Sequence, residues 1–133
     1  MAWRRYPGKY GNKKTYAYGI KFDSKHEASR YVELMLMQDK GLIHGLELQK
    51  KYVLIPAQYE KSDEVYQKGP QKGKPKPGKL IEREVCYLAD FDYYTAEGEH
   101  IVEDTKSEAT KTKDYILKRK MMLWVHGIQI KEV

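Results

Sequence analysis

Asp90 and Asp104 are the residues most able to do chemistry, because a short turn signal sets them against each other. Ala96-Glu97-Gly98 reads as a three-residue hairpin loop with glycine in the place that needs positive φ. In that register Asp90 lies opposite Asp104, Asp92 opposite Val102 and Leu88 opposite Lys106. A two-residue loop would instead put Asp90 opposite Thr105, and Gly98 suits the longer loop better. Strand alternation then gathers Asp90, Asp104 and Lys106 on one face. It places Tyr87, Ala89, Phe91 and Tyr93 on the other, with Ile101, Glu103 and Thr105. Two carboxylates at about 4 Å repel by roughly 4 kcal/mol at an effective dielectric near 20. A divalent cation turns that cost into a binding site, and a few oxygen-only ligands suit Mg²⁺ or Mn²⁺. Lys106 offers a second way to offset the charge, an ionic triad on a solvated sheet face.

The elements that must carry these residues are legible from periodicity. A helix is expected over residues 25–40, with Ser24 as N-cap and Gly41 as stop. Ala28, Tyr31, Val32 and Met35 form its buried stripe, and Leu34, Leu36 and Met37 widen it. A short strand is expected over 51–55, ended by Pro56, with Gln49 just before it. Strands follow over 80–94 and 100–106. A second helix is expected over 111–125, with Ile116, Leu117, Met121, Leu123 and Trp124 on its apolar side. Gly127 stops that helix, and 128–133 make a last strand. Ser107, Thr110 and Thr112 read as its capping region rather than as nucleophiles. His26, His44, His100 and His126 show no ligand spacing and read as surface, and Cys86 reads as buried and inert.

The chain has 133 residues, enough for one domain. No apolar run is long enough to span a bilayer, and no apolar signal core precedes the domain, which points away from membranes and secretion. A single cysteine excludes an intramolecular disulfide framework and a four-cysteine zinc site, in keeping with a reducing cytoplasm. The net charge of +6 is unevenly spread. Residues 1–14 carry five Lys or Arg and no acid, residues 66–81 carry five Lys and no acid, and the rest sums to −4. Segregated basic segments interleaved with Tyr and Trp point to a polyanion, most often nucleic acid. Solubilising tails are the plainer alternative. Residues 1–20 read as a basic aromatic arm and residues 60–80 as a flexible Lys-rich loop. Residues 21–133 then form a single domain.

Tyr87-Leu88-Ala89-Asp90-Phe91 and Val102-Glu103-Asp104-Thr105-Lys106-Ser107 resemble the two signature segments of the PD-(D/E)xK nuclease superfamily. The element order also matches, as a mixed α/β (α+β) domain with a restriction-endonuclease-like helix-strand-strand-strand-helix-strand core. More narrowly, Phe22-Asp23-Ser24-Lys25-His26-Glu27-Ala28, Leu46-Glu47-Leu48-Gln49 and Lys118-Arg119-Lys120 resemble a small phage-encoded endonuclease-like branch. The resemblance spans residues 20–133 and leaves out the arm and the Lys-rich loop. Ala89 stands where the superfamily's name has proline, a position that varies widely among its members.

The resemblance implies a Mg²⁺- or Mn²⁺-dependent DNA endonuclease of phage DNA processing, cytoplasmic (host cytoplasm if phage-encoded). Asp90 and Asp104 match its metal ligands, the Thr105 backbone carbonyl completes the shell, and Lys106 matches the lysine beside the attacking water. Glu27 matches an acidic residue that joins the site in many members, but Ser24-x-x-Glu27 also reads as a capping box. Lys72, Lys74, Lys76, Arg4 and Arg5 are expected to contact the DNA backbone, as are Lys118, Lys120 and Gln49. Two alternatives stay open. One is a Holliday-junction resolvase of the same fold, acting as a homodimer, and the other is an inactive module that binds DNA or protein.

Overall fold

Residues 15–133 are described by a computed structural model of mixed α+β class. Tyr18 and Gly19 both have positive φ, at 50° and 76°, which is the turn that joins β1 (Thr15–Ala17) to β2 (Ile20–Phe22) as a tight hairpin. This hairpin packs on α1 (Lys25–Asp39) through Phe22–Tyr31 and Tyr18–Tyr31 ring contacts of 5.1 and 5.8 Å. Residues 15–20 therefore belong to the domain and not to an arm. Tyr18 and Ala17 pack there beside Phe22, which the absence of helical periodicity conceals. Ser24 caps α1 by accepting from the Glu27 amide at 3.1 Å, and Gly41 ends it at φ 74°. Ala28, Tyr31 and Leu34 are buried as the periodicity requires, whereas Leu36 is exposed.

Three long strands make the centre. β3 (Ile43–Ile55) pairs antiparallel with β6 (Val85–Thr95), which pairs antiparallel with β7 (His100–Asp104). β7 lies parallel to the short β8 (Lys131–Glu132), and α2 (Lys113–His126) makes the crossover that a parallel pair needs. The β6–β7 register matches Asp92 with Val102 and Phe91 with Glu103, as the Gly98 loop demands. β3 begins eight residues before the expected strand, so Leu46–Gln49 lie inside it. Gly45 and Gln49, at φ 68° and 51°, break its pattern and hide that half from a period-two reading.

The two helices cover opposite faces of this sheet. Along β7, Ile101 packs with the α1 cluster and Glu103 meets Arg30 of α1, while Val102 packs with α2 and Asp104 meets Tyr87 of that second cluster. β6 does not alternate so simply. Phe91 and Tyr93 pack with Tyr31 and Leu34 of α1, but Tyr87 and Ala89 pack with Tyr115 and Met122 of α2. β3 changes side at the same level, from Leu48 in the first cluster to Tyr52 and Leu54 in the second. Strict alternation, which would unite residues 87, 89, 91 and 93, fails here because Gln49 takes a left-handed conformation between the Leu48–Phe91 and Lys50–Ala89 pairs.

Two further expectations change. Thr112 caps α2 by accepting from the Tyr115 amide, and the rotation this sets buries Tyr115 and Met122, seven residues apart. Leu117, Leu123 and Trp124 then point to solvent, with Trp124 89% exposed. The segment between β4 (Gln58–Tyr59) and β5 (Leu80–Glu82) is an ordered ribbon and not a structureless loop. Its backbone is hydrogen-bonded from Glu60–Lys79 to Tyr66–Lys74. Among the described residues no helix is long and apolar enough to cross a membrane.

Glu103 is fully buried and held bidentately by Arg30, with Nε–Oε1 at 2.8 Å and Nη2–Oε2 at 2.7 Å, while the Tyr93 hydroxyl donates to Oε2. This pair locks α1 to β7. Arg30→Ala should cost about 3–5 kcal/mol, because it strands a buried charge. Glu33→Ala, which removes only the exposed partner of Arg30, should cost less than about 1 kcal/mol by urea denaturation.

Candidate active site

The break in alternation brings four elements to one place. Asp90 lies where β6 changes face, and its Oδ2 accepts from the Thr105 amide at 2.9 Å and the Thr105 hydroxyl at 2.8 Å. Its Oδ1 accepts from Gln49 Nε2 at 3.2 Å, and the same amide group reaches Glu27 Oε1 at 3.4 Å. Gln49 thus spans the carboxylates of α1 and β6. The Glu27 amide completes half of a capping box, but its carboxylate is turned toward Gln49 rather than toward the Ser24 amide. A left-handed glutamine inside a strand carries backbone strain of about 1–3 kcal/mol, and here it aims a side chain between two acids.

Asp104 lies at the end of β7 and is 3% exposed. Its Oδ2 accepts from the buried Tyr87 hydroxyl. Its Oδ1 is buried without a hydrogen bond, although Lys106 Nζ stands 3.2 Å away as an ion-pair partner. Lys106 is fixed from the other side by the Tyr115 ring, 4.7 Å below the ammonium. A buried carboxylate oxygen that makes no hydrogen bond is costly, and the Lys106 ammonium is the positive charge set against it.

The electrostatics tie Glu27, Asp90 and Asp104 into one site. Burial first, then the Asp90 charge, pushes Asp104 up to about 6, against the pull of Tyr87 and Lys106. Burial and the charges of Asp90, Asp23 and Asp104 push Glu27 up to about 7. Among the described residues no group of three His, Cys, Asp or Glu side chains is arranged to cage a metal. The oxygen donors present, the Asp90 and Asp104 carboxylates, are of the kind that suits a hard cation that keeps its waters, as Mg²⁺ does.

The expected residues divide clearly. Glu27, Asp90, Asp104, Thr105 and Lys106 converge, and Gln49, expected on DNA, joins the carboxylates. Lys118 instead pairs with Asp114 at 3.6 Å, one turn away on α2. Lys120 is exposed beside a shallow depression with Arg119 and Glu132. Lys72, Lys74 and Lys76 lie on the ribbon, and Arg4 and Arg5 lie outside the described residues. Sequence reasoning misses Tyr87, Tyr115 and the Thr105 hydroxyl. Strict alternation turns Tyr87 away from Asp104, and only the change of face reverses that. His100 is not simply surface, since its Nε2 bonds the buried Asp92 at 2.9 Å, and Cys86 is only half-buried.

Residues 7–131 match the model of a family described as Protein of unknown function (DUF1064). The chain belongs to this family. No curated protein and no solved structure matches the chain.

Raised carboxyl values have a stability consequence with a definite sign. Between pH 4 and 7 the folded protein keeps protons on Asp104 and Glu27 that the unfolded chain has released. Stability of the metal-free protein should therefore fall as pH rises through this window, and the loss should be complete above about pH 7. Glu27→Gln should remove part of the slope and gain on the order of 1–2 kcal/mol at pH 8, read from urea melts at several pH values. An unchanged slope would mean that Glu27 ionises normally.

Proposed function

We propose that the protein is a metal-dependent DNA endonuclease with a restriction-endonuclease-like core. The observation that carries this reading is Asp104. Its Oδ1 is buried without a hydrogen bond, beside Asp90 and 3.2 Å from the Lys106 ammonium. The sheet order β3-β6-β7-β8, with a helix on each face, supports the same reading, since it carries the helix-strand-strand-strand-helix-strand order of that core. The resemblance of residues 87–91 and 102–107 to PD-(D/E)xK signatures adds to it.

Asp90, Asp104 and the Thr105 carbonyl would hold the cation, which when bound supplies charge neutralisation for a phosphodiester and a more acidic water. The chain does the rest by position. Thr105 and Gln49 orient Asp90 through three hydrogen bonds, and Tyr87 orients Asp104. Lys106, held between Asp104 and the Tyr115 ring, places a fixed positive charge where negative charge develops on the phosphoryl oxygens. A water oxygen attacks phosphorus and gives up a proton to solvent, the bond to the leaving deoxyribose oxygen breaks, and that oxygen takes up a proton from solvent. Glu27, joined to Asp90 through Gln49, closes the acidic wall from α1.

The test is cleavage of duplex, single-stranded, flapped and four-way-junction DNA with Mg²⁺ or Mn²⁺. The wild type should nick at least one substrate and stop in EDTA. Asp104→Ala should lose at least about 10³-fold in rate while binding DNA as well or better, because a repelling charge is gone. Gln49→Ala should lose about 10- to 100-fold through misplacement of Asp90. A metal-independent mobility shift with no cleavage of any substrate would leave only a binding module.

A further inference from the structure

The segment between Tyr59 and Leu80 bears on how the proposed nuclease would hold its substrate, and its assignment here rests on that nuclease reading. Backbone hydrogen bonds join its two legs at intervals from base to tip. The Glu60 amide donates to the Lys79 carbonyl at 2.8 Å, and the Lys76 amide to the Glu64 carbonyl at 2.9 Å. Val65 bridges Pro75, and the Tyr66 amide donates to the Lys74 carbonyl at 3.1 Å. Gly69 and Gly73, at φ 81° and 83°, bracket the tip, where the Lys72 amide donates to the Gly69 carbonyl. This is a two-stranded antiparallel ribbon, yet none of its residues belongs to either core cluster.

Its neck is built for close strand approach. A Cβ on Gly78 would stand 2.4 Å from the Glu60 carbonyl oxygen, so only glycine allows the two strands to meet there. Pro70, Pro75 and Pro77 fix three further backbone angles. An isolated two-stranded ribbon is marginal in water, so an element stiffened in this way while fully burying no residue is suited to a surface that covers it.

Charge identifies that surface. Lys68, Lys72 and Lys74 occupy the tip, Lys76 and Lys79 lie level with Glu64 and Glu60 across the ribbon, and none of the five forms an ion pair among the described residues. The acids Glu60, Asp63, Glu64, Glu82 and Glu84 lie toward the base, interspersed with Lys61, Lys76, Lys79 and Arg83. A tip that is wholly positive, beyond a base of mixed charge, selects a polyanion and orients the ribbon end-on to it. Two strands about 5 Å apart fit the major groove of duplex DNA, about 12 Å wide and 8.5 Å deep. Its base edges offer acceptors to Gln67, Gln71 and the tip lysines. We infer that residues 60–79 form a DNA-binding arm that enters the major groove of duplex DNA, acting as an ordered ribbon and not as a flexible basic tail.

The test compares ribbon and tail at equal charge. Binding to a fluorescent duplex is measured by anisotropy in EDTA, so the outcome does not depend on cleavage. Gly78→Val changes no charge but opens the neck, and it should weaken binding at least about five-fold. Lys72→Gln with Lys74→Gln should weaken it at least about ten-fold and lower the salt slope by about 1.8. Both variants should keep the wild-type thermal transition, since no core residue is touched. Methyl green, a major-groove ligand, should displace the protein, and netropsin, a minor-groove ligand, should not. The inference falls if Gly78→Val binds as the wild type does, for then charge alone suffices. It also falls if netropsin competes and methyl green does not, and the lysine variant with the competition decides the matter should Gly78→Val unfold. Cleavage by the wild type alongside either negative result would sink the ribbon alone. A wild type that neither binds nor cleaves duplex would sink the nuclease reading as well.

Discussion

Buried negative charge is the constraint around which this domain is organised. Four carboxylates, Glu27, Asp92, Glu103 and Asp104, are buried in or against a small sheet. Each would be expelled unless its ionised oxygens found donors. Glu103 finds a bidentate guanidinium and a tyrosine, and Asp92 finds Tyr52, His100 and, at 3.8 Å, Lys50. Those two are structural and resolve their charge internally. Asp104 does not. Tyr87 satisfies one oxygen, and the other is left with an ammonium nearby but no hydrogen bond. The contrast between satisfied and unsatisfied acids separates scaffold from site more sharply than burial does, since Glu103 is more buried than Asp104.

The second device is geometric. A sheet that alternates perfectly sends neighbouring side chains to opposite faces, so acids from one helix and two strands cannot meet without an irregularity. Here the irregularity is shared by two adjacent strands at one level, at Gln49 and Asp90. The pairs on both sides of it remain in register and only the Gln49–Asp90 pair between them is missing, so the cost to the sheet is local. Gln49 then does two things at once. Its backbone makes the turn of face possible, and its side chain links Glu27 to Asp90.

The same irregularity divides the legible from the hidden in the sequence. The hairpin register is legible because Gly98 suits only one loop length well, and with it comes the convergence of Asp104 and Lys106. The limits of α1 are legible because Ser24 and Gly41 are strong terminal signals. Glu27 and Asp90 come together only through resemblance, because no periodicity ties a helix residue to a strand residue sixty positions on. The roles of Gln49 and Tyr87 are hidden for one common reason: a period-two reading has no place for a glutamine at positive φ. The exposed face of α2 is easily misread because Leu117, Leu123 and Trp124 are apolar by type, whereas the rotation of the helix is set by Tyr115 and Met122. The ribbon is hidden because glycine, proline and lysine suggest disorder by composition, and only backbone pairing shows otherwise.

The energetics bear on the choice between an enzyme and a binding module. Without a cation, Glu27 and Asp104 oppose folding at neutral pH, since burial and mutual repulsion hold both carboxyls well above their ordinary range. A left-handed Gln49 adds strain beside them. None of this helps a surface that only grips phosphate, for which clustered acid is repulsive. A binding module could replace Asp104 by asparagine and gain both stability and affinity. Residues that cost stability at one place in an otherwise well-paired sheet are the pattern expected where function opposes stability. Under the function proposed above, a cation would stand between the clustered acid and a polyanion, and the lysine-rich ribbon would supply the attraction that the acidic site by itself would deny.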